Sequence, residues 1–182
     1  TVTVPGAVDA WETLLRDHGT KSLEDCLQAA IGYAENGFAV HDRASLDWQL
    51  SVDKLSIDEA AKRIMLKGGG APKEGTVYRQ PELAATLRKI AKGGRNAFYT
   101  GEVAEDLVSH LRSKGGLHTL DDFANNTPEY VNPIMTDYKG YQVYECPPNG
   151  VGIIALLMLN MWEGFQQPDD PLDITRLHWM SE

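Results

Sequence analysis

The stretch PIMTDYKGYQVYECPPNGVG, from Pro133 to Gly152, decides which fold class the sequence indicates. Aromatic and β-branched residues are frequent in Ile134 to Tyr138 and in Tyr141 to Tyr144, and Lys139-Gly140 lies between the two segments. Because glycine tolerates the positive φ of a tight turn, this pattern predicts a β-hairpin. Apolar residues upstream recur with helical spacing. The sequence therefore predicts an α+β fold that is mainly helical and carries one hairpin.

The segment after the hairpin predicts a helix that is apolar on every side. Pro147-Pro148-Asn149-Gly150 makes a sharp loop, and Ile153 to Trp162 then contains almost only apolar residues. Such a helix is expected to be buried on most of its surface, so Leu157→Ala should cost about 2–5 kcal/mol. If another subunit covers part of this helix instead, the helix should expose an apolar patch that promotes self-association.

Caps and glycine stops predict several helices before the hairpin. Ser22 and Asp25 indicate a capping box, and the stripe that follows is expected to bury Cys26, Leu27 and Ala30. A weaker helical stretch from Ala44 to Leu66 is predicted to contain a second capping box, Ser56 with Glu59. The other predicted helices are Ala7 to His18, Pro81 to Gly93 with Leu83, Leu87 and Ile90 buried, Gly101 to Lys114, and a short helix capped by Thr119 and Asp122.

Length and charge restrict the class of protein. The 182 residues fit one domain, so we expect residues 1–182 to be a single domain. A net charge of −9 argues against nucleic acid as a partner, since a phosphate backbone requires a basic face. No apolar stretch approaches the ~20 residues that span a membrane as a helix. The predicted last helix, Ile174 to Glu182, lacks a stop signal, and we expect an internal segment of a longer chain.

The residues alone predict no complete catalytic, cofactor or metal site. Gly68-Gly69-Gly70 lacks the Lys-Ser/Thr ending of a phosphate loop and is interpreted as a flexible loop. No serine lies in a Gly-x-Ser-x-Gly elbow, although the members of a triad need not be close in sequence. Tyr138, Tyr141 and Tyr144 fit sheet packing better than base stacking. The five histidines are scattered without a metal-ligand spacing, at His18, His41, His110, His118 and His178.

The two cysteines do not decide whether the protein lies in a reducing or an oxidising compartment. Cys26 and Cys146 are interpreted as two buried free thiols, and a disulfide between them remains an alternative.

Six short sequence blocks, none of them specific alone, follow one another along nearly the whole chain. They are Val4 to Trp11 with His18-Gly19-Thr20, Ala29 to Ile31 with Ala34 to Phe38, Tyr78 to Leu87, Ala97 to Glu102, Gly115 to Leu117 with Thr119 to Asp122, and Tyr138 to Tyr141 through Pro147-Pro148 to Leu159 to Phe165. In this order they resemble the γ-glutamyltranspeptidase family. Ala44 to Gly75 matches that family poorly.

The resemblance implies a segment of the large subunit of an N-terminal-nucleophile hydrolase with a four-layer αββα fold. Its implied partner is a small subunit whose first residue, a Thr made by self-cleavage, attacks a γ-glutamyl amide such as glutathione. The family's Thr-Thr-His motif and its substrate-binding Arg block do not occur in these residues. No catalytic residue is therefore assigned, no cofactor is implied, and the segment alone is expected to be inactive.

One loop departs from the commonest family pattern. Pro147-Pro148-Asn149-Gly150-Val151-Gly152 stands where many members have a proline-rich turn with two serines and two glycines. This form resembles the branch of oxamate amidohydrolase-like and acylase-like relatives, which leaves the γ-glutamyl substrate open. The alternative interpretation is that the loop only caps the following helix at Ile153. The resemblance implies a periplasmic or secreted protein, or a cytoplasmic one for the amidohydrolase-like branch. A non-catalytic scaffold is the remaining alternative.

Overall fold

The computed structural model describes residues 2–182, which form two compact units. The first unit ends at Pro128, and the second runs from Glu129 to Glu182. No helix within residues 2–182 is long and apolar enough to cross a membrane. The first unit contains α1 (Ala7–His18), α2 (Leu23–Asn36), β1 (Phe38–Ala39), α3 (Asp42–Leu50), α4 (Val52–Leu55), α5 (Glu59–Met65), β2 (Val77–Tyr78), α6 (Pro81–Tyr99), α7 (Glu102–Ser113) and α8 (Leu120–Ala124). The second contains β3 (Ile134–Tyr138), β4 (Tyr141–Glu145), α9 (Gly152–Glu163) and α10 (Ile174–Ser181).

Helix α6 is the centre of the first unit. It packs along α2 and also contacts α1, α7 and α8. Apolar side chains from these five helices form one core, in which Tyr99 and Phe123 are fully buried. The mainly helical character predicted from the sequence is confirmed.

Two of the predicted caps form, and one does not. The Ser22 hydroxyl accepts the N–H of Asp25, whose carboxylate accepts the N–H of Ser22, and Thr119 and Asp122 repeat this box at α8. The box at Ser56 was wrong, because Asp58 accepts the N–H of Ala61 and begins α5 instead. Ser56 lies two residues earlier, at the C-terminal end of α4, where its hydroxyl donates to the carbonyl of Val52.

Three predicted burials in the first unit were wrong. Leu27, Ile31 and Ala34 form the buried stripe of α2, while Cys26 and Ala30 lie on the neighbouring exposed stripe. Leu83 is also exposed, whereas the next residue of α6, Ala84, is fully buried, so Leu83 lies off the face that enters the core. On both helices, the apolar residues spread over a wider face than the one that the partner helices cover.

Two local features of the first unit were not predicted. Helix α6 continues to Tyr99 past its expected end, with a kink where Gly94 has φ 56° and ψ −144°. Strands β1 and β2 pair antiparallel, with Phe38 opposite Tyr78 and Ala39 opposite Val77. Two residues per strand are too few for an alternating pattern to be visible in the sequence.

The predicted hairpin in the second unit is confirmed. Strands β3 and β4 pair antiparallel from Ile134 opposite Glu145 to Tyr138 opposite Tyr141. Lys139 and Gly140 both have positive φ, 48° and 82°, which is the conformation of a two-residue hairpin turn. Tyr141 and Tyr144 are mostly exposed, so the expected sheet packing does not hold for these two side chains.

Helix α9 packs on the hairpin through only part of its surface. It contacts β3 and β4, and the Thr136 hydroxyl donates to the side-chain oxygen of Asn160. Leu156 is buried, whereas Leu157 is 54% exposed. The prediction that most of this helix is buried was therefore wrong within the described chain, because the hairpin covers one face only.

Candidate functional site

An apolar surface lies on the part of α9 that the hairpin leaves uncovered. We call it the α9 surface, and its members are Ile153, Ile154, Leu157, Met158 and Met161, each at least 38% exposed. Isolated exposed apolar residues are ordinary, but five of them on one helix form a contiguous patch of the kind that marks an interaction site. Helix α9 contains no charged residue before its last position, Glu163.

A cavity of about 600 Å³ adjoins the C-terminal half of this surface, entirely within the second unit. Trp162, Phe165 and Trp179 form its aromatic wall, with the Phe165 and Trp179 rings stacked at 4.9 Å between centroids. Met158 and Met161 border it, and methionine side chains adapt to irregular partners. The lining hydroxyl of Ser181 donates to the carbonyl of Leu177. The mainly aromatic and apolar lining therefore suits apolar contact.

A polar network in the first unit joins three helices. The Arg95 guanidinium donates to Asp9 Oδ2 at 2.8 Å and to the carbonyl of Ala124 at 2.8 Å, and it also contacts the carbonyl of Asn126. The Tyr99 hydroxyl donates to the carbonyl of Pro5, and burial raises the pKa of this phenol. The Tyr99 hydroxyl also accepts the N–H of Asp9 at 3.3 Å, so the network ties α1, α6 and α8 together.

The histidines do not assemble a catalytic group in the part of the chain that the structure describes. His41 accepts the N–H of Ala44 and caps α3, while His118 Nε2 lies 3.1 Å from the carbonyl of Val2. His110 contributes its backbone carbonyl to the Ser113 hydroxyl. Residues 2–182 contain no group of three or more side chains that could hold a metal ion.

The glycine-rich segment forms a loop, and its neighbouring lysine, Lys67, is held by contacts within the protein. Lys67–Gly69 forms a short 3₁₀ turn, and the Lys67 amine donates to the carbonyl of Arg79. The same amine lies 5.0 Å from the centroid of the Tyr78 ring. A phosphate loop needs a lysine that is free to reach its ligand.

Both cysteines are exposed free thiols, which corrects the prediction that they are buried. Cys26 lies on the outer side of α2, and Cys146 follows β4 at the start of the loop before α9. No disulfide joins them in this structure.

Comparisons with known proteins agree on one family. The family model described as "Gamma-glutamyltranspeptidase" matches residues 1–182. The "Glutathione hydrolase-like YwrD proenzyme" of Bacillus subtilis is 40% identical over 164 residues, which are 90% of this chain and 31% of that protein. The chain thus spans less than a third of this relative's length.

Two solved structures match almost the whole chain. The γ-glutamyltranspeptidase of Helicobacter pylori superposes with a TM-score of 0.88 at 28% identity, over 97% of this chain and 52% of that one. The cephalosporin acylase of Bacillus halodurans gives the same TM-score at 36% identity, over 98% of this chain and 34% of that one.

Proposed function

The chain belongs to the γ-glutamyltranspeptidase family, and from this premise we propose that the intact protein is a self-processed amidohydrolase with an N-terminal Thr nucleophile. The Thr hydroxyl attacks the amide carbonyl of the substrate, while the α-amine of the same residue takes the proton. Backbone N–H groups stabilise the oxyanion. The acyl group then passes to water or to an amino acid.

Within that enzyme, residues 1–182 form a segment of the large subunit and supply no catalytic side chain. The observation that carries this proposal is the α9 surface, where Leu157 and Met161 are 54% and 63% exposed on a helix with no charge before its last residue. An exposed contiguous apolar surface of this kind marks a site where another part of the protein, or another protein, packs. We propose that the rest of the family fold, including the small subunit, packs on it.

A second candidate substrate class is favoured by one loop. Pro147-Pro148-Asn149-Gly150 resembles the acylase-like branch, and the chain is similar to a cephalosporin acylase at 36% identity. The same cleavage chemistry would then act on an acyl amide other than a γ-glutamyl amide. Loss of the nucleophile, leaving a scaffold protein, is the third possibility that the experiment must separate.

The experiment uses the intact protein. Mass spectrometry and N-terminal sequencing should find two chains, the smaller of which begins with Thr, and substitution of that Thr by Ala should leave one uncut chain without turnover. Rates with a γ-glutamyl anilide and with simple acyl amides then decide between the substrate classes. A single uncut wild-type chain would support the scaffold alternative.

A separate control tests the role of these residues. Purified residues 1–182 should not hydrolyse either substrate. Turnover above background that a point change within the segment abolishes would show that the segment carries its own catalytic group.

A further inference from the structure

The chain contains two Asn-Gly pairs, Asn36-Gly37 and Asn149-Gly150, and they lie in opposite environments. In such a pair the glycine amide nitrogen can attack the side-chain amide of the asparagine, because glycine has no Cβ to obstruct the approach. The attack requires an amide N–H that makes no other hydrogen bond and a backbone that can turn. The structure meets these conditions at one pair only.

Asn36-Gly37 is held on both sides. The N–H of Gly37 donates to the carbonyl of Tyr33 at 2.9 Å and closes the end of α2. Gly37 has φ 92°, and a Cβ there would lie 2.5 Å from the Val77 side chain. The carbonyl of Asn36 accepts Nε of Arg79 at 2.9 Å. Neither the nitrogen nor the backbone of this pair is available for attack.

Asn149-Gly150 is open. Both residues are exposed in the turn between β4 and α9. Within residues 2–182 the N–H of Gly150 makes no backbone hydrogen bond of ordinary distance and angle, although Pro148 and Asn149 form a turn. A Cβ added to Gly150 would meet no atom within 4 Å, so the backbone has room to turn.

We propose that Asn149 is a site of spontaneous deamidation. The Gly150 amide nitrogen loses its proton to solvent base and bonds to Cγ of Asn149. The Cγ–Nδ2 bond then breaks and ammonia leaves, which gives a five-membered succinimide. One water molecule opens the ring at either carbonyl and yields aspartate or isoaspartate. No oxidant or enzyme is required.

The two products affect α9 differently. Aspartate adds one negative charge two residues before Val151, the N-cap of α9, where the helix dipole favours an anion. Isoaspartate instead inserts a methylene into the main chain. Gly152, two residues beyond the pair, packs so closely that a Cβ there would lie 2.7 Å from Cβ of Glu145. We therefore expect aspartate to be tolerated and isoaspartate to loosen the start of α9.

The test is incubation of the intact protein in mildly alkaline buffer made with ¹⁸O-water, followed by tryptic peptide mapping. Lysine and arginine residues lie between the two pairs, so Asn36 and Asn149 fall in separate peptides. Incorporated ¹⁸O at residue 149 distinguishes reaction in the folded protein from reaction during digestion. Gly150→Ala places a Cβ beside the attacking nitrogen without a clash elsewhere in the structure. Asn149→Asp has the negative charge of the aspartate product but keeps the normal main chain.

We expect Asn149 to react roughly tenfold faster than Asn36 or more, which corresponds to a barrier lower by about 1.4 kcal/mol. Gly150→Ala should slow the reaction at residue 149, and denaturant should make the two rates similar. Equal rates at both pairs in the folded protein, or an Asn149 that reacts only after unfolding, would overturn the proposal.

Discussion

Arg95 Nε lies 2.8 Å from Asp9 Oδ2, and both side chains are largely buried, at 24% and 6% exposure. The same guanidinium binds the carbonyl of Ala124, the last residue of α8. One arginine on α6 thereby satisfies the C-terminal end of α8 and fixes α1, although the three helices are far apart in sequence.

Removing one member of the Arg95–Asp9 pair should lower the free energy of unfolding substantially. Asp9→Ala leaves a largely buried guanidinium without its counter-ion, and we expect a loss of about 3 kcal/mol in the free energy of unfolding. Denaturant unfolding measures this loss. Asp47→Ala is the matched control, because Asp47 pairs with Arg43 on the surface of α3, where such pairs are worth about 0.2–1 kcal/mol. Similar losses for the two variants would show that burial does not strengthen the Asp9 pair.

Gly94→Ala should destabilise the first unit. Gly94 has φ 56° and ψ −144°, and a Cβ there would lie 2.4 Å from Oε2 of Glu12. That carboxylate accepts the N–H of Arg95, so the clash also displaces a hydrogen bond. We expect a cost of about 1–3 kcal/mol for the strained backbone alone, measured by thermal or denaturant unfolding.

Gly32→Ala is the control for this variant. Gly32 lies inside α2, and an added Cβ would meet no atom within 4 Å. Alanine there should stabilise the helix by about 0.5–1 kcal/mol. The two Gly→Ala changes are thus expected to have opposite signs, and a stabilising Gly94→Ala would contradict the close packing at Glu12.

Local signals predicted most of the helices and the hairpin, whereas burial depended on partners. The capping box of Ser22 with Asp25 and the Lys139-Gly140 turn involve neighbours in sequence, so the sequence sufficed. The exposure of Cys26 and Leu157 could not be predicted, because it depends on which helix faces have a partner within residues 2–182. The Arg95–Asp9 pair spans 86 positions and leaves no local pattern.

For the functional site, the sequence indicated the family but identified no catalytic residue. The six ordered blocks identified the γ-glutamyltranspeptidase family, which the family comparison confirms. The α9 surface was visible only as an apolar run, and a buried core helix gives the same run. Its exposure became apparent only when the hairpin was seen to cover one face.

The pH dependence of the free energy of unfolding should reveal how much the charge of Asp58 stabilises the fold. A hydrogen bond from Lys114 and another from the N–H of Ala61 lower the pKa of Asp58 from 3.8 to about 2. Because the folded pKa is depressed, the stabilisation is present above the unfolded pKa and is lost as pH falls from 3.8 to about 2. We expect the difference in stability between wild type and Asp58→Asn to shrink across this window. A difference that is constant with pH would show that the charge of Asp58 contributes nothing.

Leu156 and Leu157 are adjacent on α9, and only Leu156 is buried, with 5% exposure against 54%. In isolated residues 1–182, Leu156→Ala should cost about 2–5 kcal/mol through lost transfer energy and the cavity left behind. Leu157→Ala should cost within about 0.5 kcal/mol, as for other surface changes. Denaturant unfolding measures both costs.

The same two variants in the intact protein test what covers the α9 surface. If the rest of the family fold packs on it, Leu157→Ala should become as costly as Leu156→Ala, since both side chains are then buried. Light scattering of isolated residues 1–182 should show self-association that Leu157→Lys reduces, because a charge disfavours contact between apolar patches. A Leu157→Ala cost that stays small in the intact protein, together with a monomeric segment, would mean that α9 faces solvent in both and that the partner binds elsewhere.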